Sequence, residues 1–488
     1  MRMKALVTSV FLFFASAAAA QQPLFRVVDI DVGATEAVQL ANGQRATVKL
    51  IATSQTRDAV RAAIREARAE VEINGVRGIL SCGNYRLPVA LGGVQVDCTV
   101  TRAYYPNTNH DHWALEKAAR LRLWPAGSAF MPPGSFVYPV RQRWFASRTQ
   151  MGNEPTYVDG GESIGAGKIY YHAGLDIGGA EGLVDVVAAT GGLVVGVGNA
   201  VVEKEKDNTA LDHNLNDTVW VLDGRGWYHR YTHLYSFDPA VKLGGRVAMG
   251  QKVGTLGKEG GSGGWSHLHY EILSRQASGK LGTQEGYAFL WEAYQRQYKP
   301  HLIAVARPHQ AILAGARARL DGSRSWSESH IAHYEWTFTN GEKAEGAQVE
   351  RLYEKAGTYS EILQVSDDRG RTAYDFETVN VLDPKHPEAP APSIQAAYWP
   401  TLGIAPGKPV TFKVRTFGTT EGEEHWWFGD GATATTRSDG NVQPRAENGF
   451  AATTHAFAQR GDYLVRVERS DRLGQKAVAH LWVRVGHL

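Results

Sequence analysis

Five residues stand out by type and spacing: His172 and Asp176 in HAGLD, His233 in YTHLY, and His267 and His269 in HLHYEI. A histidine and a carboxylate four residues apart, followed by a distant His-x-His, can hold zinc with one coordination position left open, because zinc accepts both imidazole nitrogen and carboxylate oxygen. Three protein ligands leave room for a water whose pKa the metal lowers to about 7. Two further histidines then remain to move protons. If HLHYEI is a strand, His267, His269 and Glu271 share one face, and Leu268, Tyr270 and Ile272 point the other way, toward a core. One imidazole of the pair can then ligate a metal while the other attends a substrate. Gly174 and the Ile-Gly-Gly that follows HAGLD argue against a helix there, so a strand or loop is expected. Any one of these histidines alone would be read as a hydrogen-bonded structural residue, and only their joint order reverses that. A second His-x-His, His110 and His112 in NHDHW, sits in a polar, turn-rich stretch with no accompanying His-x-x-x-Asp, and reads as a solvated loop.

The elements that must position these residues are mostly strands. Glycine turns separate LVDVVAA, GGLVVGVG, DTVWVLD, WYHRYTHLY and HLHYEIL, so residues 128–300 read as an antiparallel β domain. Residues 21–127 read as a small strand-rich domain. Asn74-Gly75 and Gly92-Gly93 each lie between apolar runs, a hairpin signal. RDAVRAAIREAR (57–68) carries apolar residues at helical spacing and is expected to be a helix. Residues 301–383 and 394–488 repeat one order of features: Trp-x-Phe, Gly-x-Tyr, an alternating strand, Asp-x-x-Gly and a final strand. Each has the size and pattern of a β-sandwich, and Trp426 is expected in the core of the second. The Pro-rich segment 384–393 between them reads as a stiff linker. The fold class is thus mainly β and multidomain.

Residues 1–20 have the form of a secretory signal peptide. Arg2 and Lys4 precede the apolar run Leu6 to Phe14, and Ala17 to Ala20 offer a cleavage site before Gln21. The run is too short to span a bilayer, and no later stretch is long enough. A secreted or periplasmic location follows, without membrane insertion. The 52 basic and 50 acidic residues nearly balance and form no long basic run, which argues against a nucleic-acid partner. Cys82 and Cys98 are the only cysteines, and in an exported chain they are expected to form a disulfide.

The segments HAGLDI, AATGGLVVGVG, YHRYTHLYSFDPAVKLGGRVAMGQKVGTLGKEGGSG and HLHYEI, in that order, resemble the lysostaphin-type or LytM-type zinc metalloendopeptidases from about Gly134 to Leu273. The resemblance implies Zn2+ ligands His172, Asp176 and His269, and catalytic His233 and His267. It also implies a tyrosine near the site, for which Tyr170 and Tyr171 are candidates by proximity. The implied reaction is hydrolysis of peptide bonds, often in the cross-bridges or stem peptides of bacterial walls. The C-terminal repeats resemble PKD-type domains: the second carries the WxFGDG turn at Trp426, Phe428, Gly429, Asp430 and Gly431, and the first a degraded form from Trp336 to Gly341. Such domains accompany secreted hydrolases as spacers or binding modules. The implied partner is peptidoglycan. The alternatives are an extracellular protein rich in glycine, such as elastin, and a non-catalytic role in activating other wall hydrolases. All five chemical residues lie within 128–300, so a chain ending at Pro384 is expected to cleave small peptides still.

Overall fold

The computed structural model describes residues 22–60, 62–82, 85–102, 112–157, 169–211, 215–387, 391–441 and 449–487. The signal-peptide segment and His110 lie outside them. Strands dominate, and the only α-helix among the described residues is Tyr287–Tyr298. No described helix is long and apolar enough to cross a membrane.

The histidine-bearing region is built on a nine-stranded antiparallel sheet. Seven strands run in the order Ala200–Val201, Gly192–Val197, Val219–Asp223, Tyr228–Thr232, His267–Arg275, Leu175–Gly178 and Gln150–Met151, while Arg246–Val247 pairs with Gly192–Val197 and Leu281–Thr283 with His267–Arg275. A three-stranded sheet, Asp185–Val187, Lys252–Leu256 and Leu234–Phe237, packs on it. Ile177, Leu268, Tyr270 and Ile272 from the large sheet meet Val186, Val253 and Leu256 from the small one in a single apolar core. The helix closes that core with Phe289, Leu290 and Trp291. Packing of its aromatic face on the sheet, rather than propensity, holds it.

The N-terminal region contains two four-stranded sheets around one core. Both expected hairpins form: Ile73 pairs with Val76 across Asn74-Gly75, and Leu91 with Val94 across Gly92-Gly93. All four turn residues have positive φ, which Asn-Gly and Gly-Gly tolerate.

The expected helix over 57–68 does not form. Arg45–Arg57 and Ile64–Ile73 are antiparallel strands joined through Ala62, whose φ is 56°. From Ala67 onward the chain alternates, and Ala67, Ala69, Val71 and Ile73 are all completely buried. Burial of that face in a sheet outweighs the helix propensity of an alanine-rich stretch. Cys82 and Cys98 are buried neighbours with Sγ atoms 3.0 Å apart, beyond the 2.05 Å of a disulfide, so the expected covalent link is absent from the structure.

The two C-terminal units are sandwiches with Trp336 and Trp426 fully buried in their respective cores. They meet where Thr358 pairs with Ala477 in parallel, so one sheet runs through both units. Part of the linker, residues 388–390, lies outside the described residues.

Candidate active site

The strand His267–Arg275 lies between Leu175–Gly178 and Tyr228–Thr232 and brings the dispersed residues together. Its register pairs His269 with Asp176 on one side and with Thr232 on the other. As the period of two requires, Leu268, Tyr270 and Ile272 enter the core while His267, His269 and Glu271 face the site. His172 lies just outside the strand pairing, and its backbone N–H donates to the Glu154 carbonyl at 2.9 Å. Gly174 allows the turn from His172 to Asp176: its φ is 97°, and a side chain there would stand 2.8 Å from the Tyr270 carbonyl.

Three donor atoms converge. His172 Nε2 lies 2.9 Å from His269 Nδ1 and 3.0 Å from Asp176 Oδ1, and His269 Nδ1 lies 2.9 Å from the same oxygen. His172 Nδ1 donates to the Gly152 carbonyl at 2.9 Å, which leaves Nε2 with its lone pair directed at the other two. Such a convergence of acceptor atoms is stable only around a cation or shared protons. Two imidazole nitrogens and one carboxylate oxygen, at separations close to the ~3.3 Å edge of a tetrahedron with zinc bond lengths, fit zinc. Burial disfavours a charged Asp176, but His172 and His269 overcome it and hold the carboxyl well below the usual range. Glu271 backs His269: its Oε2 lies 3.8 Å from His269 Nε2, and Thr283 Oγ1 donates to its Oε1 at 2.7 Å. Against the effect of burial, His269 and Arg230 hold Glu271 down at about 2.

His233 and His267 stand beside this trio with ring centroids 4.7 Å apart. His267 Nε2 is 3.4 Å from Asp176 Oδ2, and its Nδ1 donates to the Trp265 carbonyl at 2.9 Å. Burial, with His233 and His269 nearby, pushes the His267 pKa down to about 3 despite Asp176, so the ring is neutral. His233 Nδ1 donates to the Glu259 carbonyl at 2.7 Å and faces Asp217 Oδ2 at 3.0 Å. A carbonyl only accepts, so in both rings Nδ1 carries the proton and Nε2 is the basic atom. His233 has a left-handed backbone, φ 66°, rare for a side-chain-bearing residue. Asp217 stabilises it by accepting from the His233 backbone N–H at 2.9 Å as well as from the ring.

All five residues singled out from sequence meet here. The expected site tyrosine is not Tyr171, which is buried in the N-terminal core with its hydroxyl accepting from the Ile64 N–H at 3.1 Å. The Tyr170 side chain lies outside the description. The residues missed from sequence stand behind the histidines: Asp217 and the carbonyls of Gly152, Glu259 and Trp265. Backbone carbonyls carry no residue-type signal, and Asp217 has no motif spacing to His233.

Residues 170–280 match the peptidase family M23 model, and residues 300–381 and 395–481 each match PKD domain models. The pre-pro-metalloprotease PrtV of Vibrio cholerae is 34% identical over 101 residues, 20% of this chain and 11% of that protein. The chain thus spans about a ninth of that relative's length. A protein of Ruminococcus gnavus assigned as a glycyl-glycine endopeptidase LytM is similar over 33% of this chain and 60% of that one, with 22% identity and a TM-score of 0.22. A Pseudomonas aeruginosa protein assigned as a peptidase M23 is similar over 56% of this chain and 97% of that one, with 16% identity and a TM-score of 0.23.

Proposed function

From a chain that carries a LytM-like peptidase M23 domain followed by two PKD domains, we propose a zinc-dependent endopeptidase that hydrolyses peptide bonds in bacterial wall cross-links or stem peptides. The observation that carries the reading is the convergence of His172 Nε2, Asp176 Oδ1 and His269 Nδ1 beside two histidines whose Nδ1 protons are already committed to carbonyls. When bound, zinc supplies Lewis-acid polarisation and a more acidic water. His172, Asp176 and His269 would hold it.

The chain's own residues do the rest. His233 and His267 each offer Nε2 as a base, and each, once protonated, can return a proton to a leaving amine or donate to a developing oxyanion. The carbonyls behind them keep both rings in the same tautomer and orientation, and Asp217 additionally stabilises a protonated His233. Burial of the pair excludes the bulk water that would compete for these protons.

The substrate follows from the likeness of HAGLDI and HLHYEI, with the segments between them, to enzymes that cut wall peptides. Purified sacculi, elastin and oligoglycine, each incubated with the zinc-loaded protein, test it. Release of new amino termini from sacculi is expected. Cleavage of elastin alone would replace the wall with a matrix protein, and inertness toward all three would favour an accessory role. The same reading places the protein outside the cytoplasm, with export directed by residues 1–20.

A further inference from the structure

The loop Lys258–Ser266 connects the strand Lys252–Leu256 to His267 and lies between the two site histidines and the second PKD unit. On its inner side it supplies the Glu259 carbonyl to His233 and the Trp265 carbonyl to His267. On its outer side it is held by Gln395 and Phe417, each more than a hundred positions away, and by Glu181. Gln395 is completely buried, and its amide grips the backbone of Ser266 at both ends: Nε2 donates to the Ser266 carbonyl at 2.6 Å, and Oε1 accepts from the Ser266 N–H at 2.7 Å. The Trp265 ring stacks on Phe417 with centroids 4.1 Å apart and planes 15° from parallel. At the start of the loop, buried Lys258 pairs with Glu181 at 2.7 Å, and Lys413 of the PKD unit donates to the Glu181 carbonyl at 2.8 Å.

Nothing about a spacer or a docking module requires such contacts. A buried amide whose two polar atoms both serve the main chain of the residue preceding a site histidine adds a second support to that backbone, beside the Gly179 N–H that donates to the same Ser266 carbonyl at 3.3 Å. The loop carries eight residues between Gly257 and Ser266, four of them glycine, and its internal bonds, Ser262 Oγ to the Lys258 carbonyl, the Gly264 N–H to Ser262 Oγ and the Trp265 N–H to the Ser262 carbonyl, tie it only to itself. Without the outer contacts the Trp265 and Glu259 carbonyls would lose their fixed positions, and the histidine rings would lose the partners that set their tautomers.

We propose that the second PKD unit is a working part of the active site, and that Gln395 is a positioning residue for His267, acting through Ser266 and the Trp265 carbonyl. This rests on the endopeptidase reading for its kinetic consequence but not for its structural one. A shift of a reacting group by about 1 Å can cost on the order of a hundredfold in rate, so Gln395→Ala should lower kcat about ten- to a hundredfold with little change in KM.

The test uses the full, zinc-loaded chain, with a soluble cross-linked muropeptide dimer as the kinetic probe. Gln395→Ala should keep its zinc, and its kcat loss should vanish when His267 is already replaced by Ala, because the two changes act on one group. Gln395→Glu keeps the acceptor for the Ser266 N–H and loses the donor, so it should fall between the two. Independently of turnover, histidine-selective 15N spectra should show a protected Nδ1–H signal, assigned by its absence in His267→Ala, that exchanges with solvent in Gln395→Ala. An unchanged signal in Gln395→Ala overturns the proposal even if the muropeptide proves a poor substrate. A kcat loss that persists in full on the His267→Ala background also overturns it, since Gln395 would then act on stability at large. A wild-type chain inert on the muropeptide but showing the expected spectral change would unseat the wall substrate and leave the positioning role standing.

Discussion

At the scale of single residues, the division of labour among the histidines makes separable predictions. His172, Asp176 and His269 present the atoms that fit a metal, so His269→Ala should lose most of its zinc by elemental analysis; a fully loaded variant would refute the ligand set. His233 and His267 lie outside that trio, so His233→Ala and His267→Ala should retain zinc and fold while turnover falls by about 10²–10⁴, the usual cost of a lost acid–base group. If His267→Ala is empty and His269→Ala loaded, the two roles are reversed. Asp217 differs from both. Its carboxylate, held below the usual range by His233 against the effect of burial, fixes the ring and the left-handed backbone together. Asp217→Asn preserves shape and removes the charge. It should therefore lower kcat less than His233→Ala does, because the ring stays in place while a protonated His233 loses its counter-charge.

At the scale of elements, the sheet that carries the site is pinned at one end by Asp223, the last residue of its strand. Asp223 accepts from the Arg225 and Trp227 backbone N–H groups, pairs with the Arg225 guanidinium at 2.6 Å and faces His229 at 3.1 Å. Burial alone would raise its pKa, but His229 and Arg225 hold it at about 2. The folded value lies below the unfolded one. The stabilisation is therefore complete above about pH 4 and is lost as the pH falls toward 2, amounting to about 2 kcal/mol at neutrality. Urea unfolding of Asp223→Asn should show a lower midpoint than the parent at pH 7, with the difference shrinking as both are taken toward pH 2. A gap that stays constant over that range would mean that packing, not the charge, is responsible. The strand Ile64–Ile73 teaches a related lesson: a pattern that fits a helix locally is overruled when its alternate residues fill a core between strands.

At the scale of the whole molecule, the peptidase region is not freestanding. Besides the loop contacts, Arg148 donates to the Ile394 carbonyl at 2.7 Å, the Arg143 N–H donates to Thr401 at 3.0 Å, and the Arg143 guanidinium lies 4.2 Å from the Trp482 ring. On the proposal that the second PKD unit supports the site, these contacts predict the opposite of the expectation that a chain ending at Pro384 retains small-peptide activity. Such a chain keeps all five chemical residues and should keep zinc, yet its kcat on the soluble muropeptide should fall at least about tenfold for want of Gln395 and Phe417. Steady-state kinetics beside zinc content on one preparation decides this, and undiminished turnover would restore the picture of an autonomous catalytic domain.

Much of the site was legible before folding, because zinc chemistry demands particular side chains and a strand imposes a period of two. His172, Asp176, His233, His267 and His269 follow from type and order, and the inward turn of Leu268, Tyr270 and Ile272 follows from alternation. The Asn74-Gly75 and Gly92-Gly93 hairpins and the two sandwiches are equally local, written in turn residues and in a repeated pattern. Three things required the tertiary structure. The helix Tyr287–Tyr298 and the strand at 64–73 depend on which apolar face finds a core, and that is a property of the partner surface. The tautomers of His233 and His267 depend on backbone carbonyls, which every residue has. The support behind the active site depends on contacts such as Asp217 with His233 and Gln395 with Ser266, 16 and 129 positions apart. Chain closure over such distances obeys no spacing rule, so only the folded molecule reveals which distant groups stand behind the histidines.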